Sequence, residues 1–389
     1  MPERVSIPKE EYSERVKKAA SLLGDHDLDV LVANSNEADY ANCRYFSAYW
    51  PLFEIGGVAI GPLGQAALMI GPESRTYAED RSTIPNIHLM TEYRESADPQ
   101  YPDIEVSSFR DVFATIGVQS PKRIGVAGWL VTTMPVFEGL KAAFPDAEIV
   151  NANSLMTSMR QVKSPAELAC LREGLRIAEM ALEELLPQIR PGMTELEVVG
   201  LLQRSLYGNG AEAESLPSYV LSGKNSTHAI SRPTHKALEK GELVQLNFGG
   251  RVDGYSPCIG RPICLGTMTD RMRELVEFGR EAHYQTIEWI KAGVVAAEIA
   301  KKYIDLFKKR GYADEYLYGP CHGLGMIEVE PPWMETISDY PLQENMTFQV
   351  DTFLYEQNFG LRWENGLRVA SDGGELMSEA KMDIIELDV

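Results

Sequence analysis

The 389-residue chain has only five cysteines, none in a Cys-x-x-Cys pair, so neither a disulfide framework nor a zinc knuckle is expected. It has no apolar run near the roughly 18–20 residues that span a bilayer, which excludes a membrane role. The opening stretch "MPERVSIPKEEYSERVKKAA" is charged and amphipathic and lacks the apolar core of a signal peptide. Positive charge is short: 37 Lys and Arg stand against 57 Asp and Glu, a formal net charge of -20. A nucleic-acid partner needs a basic footprint and is excluded. The acidic balance suits a solvated surface and a mild attraction for cationic ligands. Cytoplasmic residence is the resulting expectation.

The rest is ordinary globular material, 44% hydrophobic and 24% charged, and long enough for two domains. Residues 9–24 read as an amphipathic helix, followed by "LDVLVANS" as a buried strand. "GGVAIGP", "QAALMIG" and "KRIGVAG" read as further strands, and "TTMPVFEGLKAAFP" as a helix. This alternation predicts an α/β N-terminal domain over residues 1–155. Ser164-Pro165 with Glu167 marks a helix start, and apolar spacing carries that helix through Leu185. Gly192 breaks it, a second helix starts near Thr194, and two more lie near 268–291 and 295–310 among strands. The second domain is read as α+β, residues 156–389.

The stretch "VQLNFGGRVDGYSPC", residues 244–258, reads as a hairpin around Asp253-Gly254. An in-register pairing there sets Asn247 opposite Cys258, presenting two side chains together as a metal-binding hairpin presents two aspartates.

Five segments in order carry a resemblance that covers nearly the whole chain. They are "MRQVKSPAEL", the tract from "SGKNSTHAISRP" through the hairpin to "CIGRPICLG", "YGPCHGLGMIEVEPPW", "FQVDTFLY" and "RWENGLRV". Together they resemble the pita-bread family of prolidase, aminopeptidase P, methionine aminopeptidase and creatinase. The resemblance implies a creatinase-like N-terminal domain, a pita-bread catalytic domain and a homodimer. In that dimer the partner's "YFSAYWPLFE" segment lines the pocket, with Trp50 and Phe53 as substrate contacts. The family's peptidases hold two metal ions with Asp, Asp, His, Glu and Glu, places that fall here on Asn247, Cys258, His322, Asp351 and Glu364. Only His322 and Glu364 match outright, and a further family His falls on Val329.

Two metal ions need anionic oxygen ligands to offset their charge, so losing two carboxylates predicts a site without metal and without any other cofactor. Creatinase and ectoine hydrolase, metal-independent relatives, are similar in pattern. His228, in "NSTHAISRP", takes the place of creatinase's catalytic His as general base and acid, with His322 and Glu364 also catalytic. Asp351, Asn247 and Cys258 then bind substrate. Two carboxylates about 4 Å apart repel by roughly 4 kcal/mol at an effective dielectric near 20. A cationic amidinium between Asp351 and Glu364 would relieve this. Gly260 stands where creatinase grips its guanidinium with Glu, and the aromatic segment has Glu54 but no Arg, so creatine itself is not expected. The expectation is a metal-independent hydrolase of a C–N bond in a small amidine, guanidino or cyclic amide substrate. Alternatives are an Xaa-Pro peptidase with an altered metal site, a lyase or decarboxylase, and a non-catalytic binding protein. Cys258 is open to three readings: a ligand of one zinc with His322, Asp351 and Glu364; a nucleophile; or a small buried filler.

Overall fold

Beyond Arg160 the chain changes from one compact unit to another in the computed structural model, which describes residues 4–379 and 381–389. The first unit, Ile7–Arg160, contains α1 (Lys9–Leu22), β1 (Val30–Ser35), α2 (Ala41–Ser47), β2 (Gly56–Ile60), β3 (Ala66–Ile70), α3 (Arg75–Arg81), β4 (Ile87–Leu89), α4 (Phe109–Thr115), β5 (Arg123–Ala127), α5 (Met134–Ala143), β6 (Glu148–Asn151) and α6 (Asn153–Arg160). Its strands form a mixed sheet in the order β4-β3-β2-β1-β5-β6. All six residues of β1 are buried, which is why "VLVANS" has an almost unbroken apolar start: a central strand is covered on both faces. Val30, Val32 and Val126 pack there with Phe109, Phe113 and Leu140.

The second unit, built on Gln161–Val389, starts with α7 (Pro165–Leu185) and α8 (Glu195–Gly208). The α7 start is a capping box: Glu167 N–H donates to Ser164 Oγ at 3.2 Å, and Ser164 N–H donates back to Glu167 Oε2 at 2.7 Å. There follow β7 (Ala213–Glu214), β8 (Tyr219–Ser222), β9 (Leu243–Phe248), β10 (Gly250–Arg251), β11 (Ile259–Leu265), α9 (Asp270–Trp289), α10 (Ala296–Arg310), β12 (Cys321–Gly323), β13 (Glu330–Met334), β14 (Thr347–Tyr355), β15 (Gly360–Val369), β16 (Gly374–Leu376) and β17 (Ile385–Leu387). The main sheet runs β13-β12-β14-β15-β11-β9-β8, with β16 on β15 and β17 on β11.

Strand alternation divides the later motifs between two faces. Leu354, Leu361 and Trp363 pack with Leu275, Val276 and Phe278 of α9, and Trp363 Nε1 donates to the Val276 carbonyl at 3.0 Å. Their neighbours Gln349, Asp351, Arg362 and Glu364 point to the opposite face, where Asp351 and Glu364 are direct cross-strand partners. None of the described helices is long and apolar enough to cross a membrane.

The hairpin register differs from the expected one: Asn247 pairs with Gly260, not with Cys258. Asp253 (φ 47°) and Gly254 (φ 86°) form a two-residue turn closed by Val252 and Tyr255. Positive φ at both positions suits the right-handed strand twist and explains the Asp-Gly pair. The pairing is displaced by two residues, an even number, so Asn247 and Cys258 still share a face. Gly260 is needed at its position, because a Cβ there would lie 2.7 Å from Glu364 Cβ and 3.0 Å from Arg362 Cγ.

Candidate functional site

Five strands and one loop bring a set of buried polar groups together. Asn247 comes from β9, Cys258 from the approach to β11, His322 from β12, Gln349 and Asp351 from β14, and Arg362 and Glu364 from β15. The loop between β12 and β13 adds Glu328, which the sequence reading did not count. All eight are buried. Glu364 is the hub: Asn247 Nδ2 donates to its Oε2 at 2.9 Å, and Gln349 Nε2 donates to its Oε1 at 3.3 Å. Gln349 Nε2 also lies 2.8 Å from Cys258 Sγ, whose thiol donates to Glu328 Oε1 at 3.4 Å.

The expected repulsion between Asp351 and Glu364 is reduced by the protein itself, though burial and the Glu364 charge still raise Asp351 to about 6 against the pull of Arg362. Arg362 Nε lies 3.3 Å from Asp351 Oδ1, and Tyr318 donates its hydroxyl to Asp351 Oδ2 at 2.6 Å. Arg362 also donates to Tyr318 Oη and, at 2.9 Å, to the Ala229 carbonyl. The carboxyl group raised furthest here is Glu328, whose ligand atoms cluster with Glu364 and Cys258. Burial and the Glu364 charge push Glu328 up to about 8. Burial opposes ionisation of Glu364 too, but His322 and Arg362 outweigh it and hold its pKa low.

The donor set fits a cation. Two groups, Cys258 with Glu328 and Glu364, and His322 with Asp351 and Glu364, each have ligand atoms within 4.8 Å of one another and share Glu364. His322 Nδ1 lies 3.1 Å from the Gly323 carbonyl, which turns Nε2 toward the cluster; burial opposes a charged ring, but Glu328 and Glu364 outweigh it and raise the imidazole to about 9, so a bound cation would displace the Nε2 proton. Nε2 faces Glu328 Oε1 and Glu364 Oε1, both at 3.6 Å, too far for hydrogen bonds. Asn247 Oδ1 and Gln349 Oε1 are buried without a hydrogen-bond partner. Acceptors gathered at this spacing suit ligands around a common positive charge.

Other residues singled out from sequence lie elsewhere. His228 is exposed at the end of the short 3-10 turn Gly223–Thr227, with Nδ1 3.4 Å from Ser231 Oγ. Its loop abuts the cluster through the Ala229–Arg362 bond. Fully buried Glu195 clamps both ends of that loop, accepting from Ser222 N at 2.7 Å, Asn225 Nδ2 at 3.1 Å and Thr234 N at 2.8 Å. Trp50, in the first unit, packs against Tyr40 and Arg44, and Phe53 is 76% exposed at a positive-φ position. Glu54 turns inward to accept from Glu73 N and Ser74 N. The missed members were legible only in part: Glu328 precedes Val329, the place a family His vacates, and Arg362 is two residues from Glu364 on one strand face.

Comparison with known proteins agrees with this architecture. The profile of the Creatinase/Prolidase N-terminal domain matches residues 15–162, and that of metallopeptidase family M24 matches residues 169–371. An Xaa-Pro dipeptidase of Lactobacillus helveticus is 30% identical over 251 residues, 64% of this chain and 68% of that protein. An Xaa-Pro dipeptidase of Pyrococcus furiosus is 23% identical over 96% of this chain and 99% of its own. The X-Pro aminopeptidase of Thermotoga maritima superposes with a TM-score of 0.82 at 24% identity, covering 96% of this chain and 99% of that one, a likeness of fold. The protein is thus a hydrolase of peptide-type C–N bonds, with an α/β N-terminal domain and an α+β pita-bread domain. The chain belongs to metallopeptidase family M24.

This corrects the expectation of a metal-independent, creatinase-like or ectoine-hydrolase-like enzyme. The family is one of metallopeptidases, and the chain retains two candidate ligand groups. The expectation failed because the count of anionic groups omitted Glu328, which the β12–β13 loop returns to Cys258 and Glu364. Nor is an amidinium substrate expected between the carboxylates, since the cation beside Asp351 is Arg362.

Proposed function

We propose that the chain is a metal-dependent peptidase of the Xaa-Pro type, acting on dipeptides or on the N-terminal end of short peptides. The observation that carries this is the shared Glu364: two ligand groups meet on one buried carboxylate, and relatives of similar length are Xaa-Pro dipeptidases. Cys258, Glu328, His322, Asp351 and Glu364 are the residues that would hold metal. The chemistry a metal held by these residues would supply is Lewis-acid polarisation of a carbonyl and a lowered pKa for a bound water.

The chain's own groups prepare that site. Asn247 and Gln349 hold the two oxygens of Glu364, while Tyr318 and Arg362 fix Asp351. His228, at the rim on a loop clamped by Glu195, moves a proton to or from the reacting peptide. The exposed apolar pair Leu52 and Phe53, 51% and 76% accessible, supports a homodimer in which this segment, with Trp50, lines the partner's site. The buried free thiols of Cys43, Cys258, Cys264 and Cys321 support a cytoplasmic setting.

The test is turnover of Xaa-Pro dipeptides and Xaa-Pro-led tripeptides by chelator-stripped protein, before and after zinc, manganese or cobalt is returned. Activity should vanish on stripping and return with metal. Equal turnover in chelator, or none on any Xaa-Pro peptide after loading, would overturn the proposal.

A further inference from the structure

The five candidate ligands are not equivalent, and their differences predict which ion the site takes. Asp351 already has a buried cation: Arg362 Nε is 3.3 Å from it, and that guanidinium is also packed over Phe353 at 5.3 Å and Tyr219 at 5.8 Å. A divalent ion at Asp351 would therefore meet a fixed positive neighbour. Among the described residues no arginine or lysine forms an ion pair with Glu328, whose ion-pair partner is His322 at 3.6 Å. The near neighbours of Glu328 and Cys258 are Glu364, His322 Nε2 and the Gln349 amide.

Glu328 Oε1 lies 3.4 Å from Cys258 Sγ and 3.6 Å from His322 Nε2, and His322 Nε2 is 3.6 Å from Glu364 Oε1. A tetrahedral zinc site has sulfur–oxygen and nitrogen–oxygen edges of about 3.5 and 3.3 Å, from its usual bond lengths of about 2.3 Å to sulfur and 2.0–2.1 Å to nitrogen or oxygen. The observed edges are within a few tenths of an ångström of these. Two further groups point to a missing ligand. Asn247 and Gln349, each at most 1% exposed, place their amide nitrogens on Glu364 and Cys258 while Asn247 Oδ1 and Gln349 Oε1 have no hydrogen-bond partner.

We propose that Cys258, Glu328 and Glu364, with His322 as a fourth donor, form the primary cation site, and that its sulfur makes it select zinc over manganese and magnesium. Asp351, spoken for by Arg362, contributes to a weaker second position or to none. Binding exchanges the thiol proton of Cys258, now directed at Glu328, for the metal–sulfur bond and releases that proton to solvent. Thiolate favours zinc-class ions, whereas carboxylate and water suit manganese and magnesium. This rests on the metal-dependent reading above and adds the identity and place of the ion.

The experiment uses full-length protein, stripped and handled without oxygen. One equivalent of cobalt(II) is added and the near-ultraviolet sulfur-to-cobalt charge-transfer band recorded; zinc and manganese are then offered together and the retained metal measured. Expected are a sulfur band in the unaltered protein and zinc retained over manganese. Cys258→Ser should lose the band and more than about 100-fold of zinc affinity, beyond the 10–100-fold typical of groups that only support a ligand. Asp351→Asn should keep both. Cobalt bound with no sulfur band in the unaltered protein overturns the assignment and leaves the metal-dependent reading standing. So does a Cys258→Ser protein that holds zinc as tightly as the original. Retention of no zinc, manganese or cobalt at all would defeat both.

Discussion

Replacing Arg362 with Met should destabilise the second unit more than most single substitutions in this chain. The guanidinium is buried, 3.3 Å from Asp351 Oδ1, which is itself 3% exposed. At that separation, opposite charges attract by about 5 kcal/mol with an effective dielectric near 20. Part of this is offset, because the protein no longer has to desolvate Arg362. What remains is a buried carboxyl whose side-chain hydrogen-bond donor among the described residues is the Tyr318 hydroxyl. Breaking a buried pair from one side costs about 3–5 kcal/mol. The hydrogen bond to the Ala229 carbonyl is lost as well, which loosens the His228 loop. Urea unfolding in the presence of chelator, followed by tryptophan fluorescence with Trp363 as reporter in this sheet, gives the loss. Adding Asp351→Asn removes the stranded charge, so the double variant should recover at least about 2 kcal/mol over Arg362→Met. A loss under about 1 kcal/mol, or an Asp351→Asn change that adds to the damage, would refute the claim that Arg362 neutralises Asp351.

His228→Ala should lower turnover of an Xaa-Pro peptide by about 10²–10⁴-fold, with little change in melting temperature because the side chain is exposed; near-normal turnover would remove it from the mechanism. His283 is buried with Nε2 2.9 Å from Asn365 Nδ2, and burial followed by the Arg261 charge lowers its pKa to about 3. The folded state thus holds it neutral while the unfolded chain takes up a proton below about 6.5, so stability falls as pH drops through that range. About 1.5–2 kcal/mol should go between pH 6.5 and 5, and His283→Gln should flatten that slope; an unchanged slope would show that other groups set it.

Local chemistry decided much of the architecture. Ser164, Pro165 and Glu167 specify the start of α7 by themselves, since a capping box closes within four residues. The apolar run of β1 similarly carries its own burial pattern. His322, Asp351 and Glu364 were recognisable as site residues because each lies in a distinct motif whose order along the chain can be read. Longer-range partners could not be read in this way. The hairpin register depended on where positive φ falls, at Asp253 and Gly254, and the pairing moved by two residues when the turn was placed there. Arg362 gives no hint in sequence that its cation belongs to Asp351 rather than to a substrate.

Glu328 is the clearest case. Loop residues have no period that assigns them a face, and a carboxylate beside Val329 reads as solvated until β12 and β13 pair and fold it inward. The sequence by itself pointed to the two domains, the order of elements and four of the five candidate ligands, because those depend on short-range patterns of burial, capping and motif order. Which charges face one another was decided only by the tertiary structure, since electrostatic pairing in a sheet depends on register and loop return, and these bring together residues far apart in the chain.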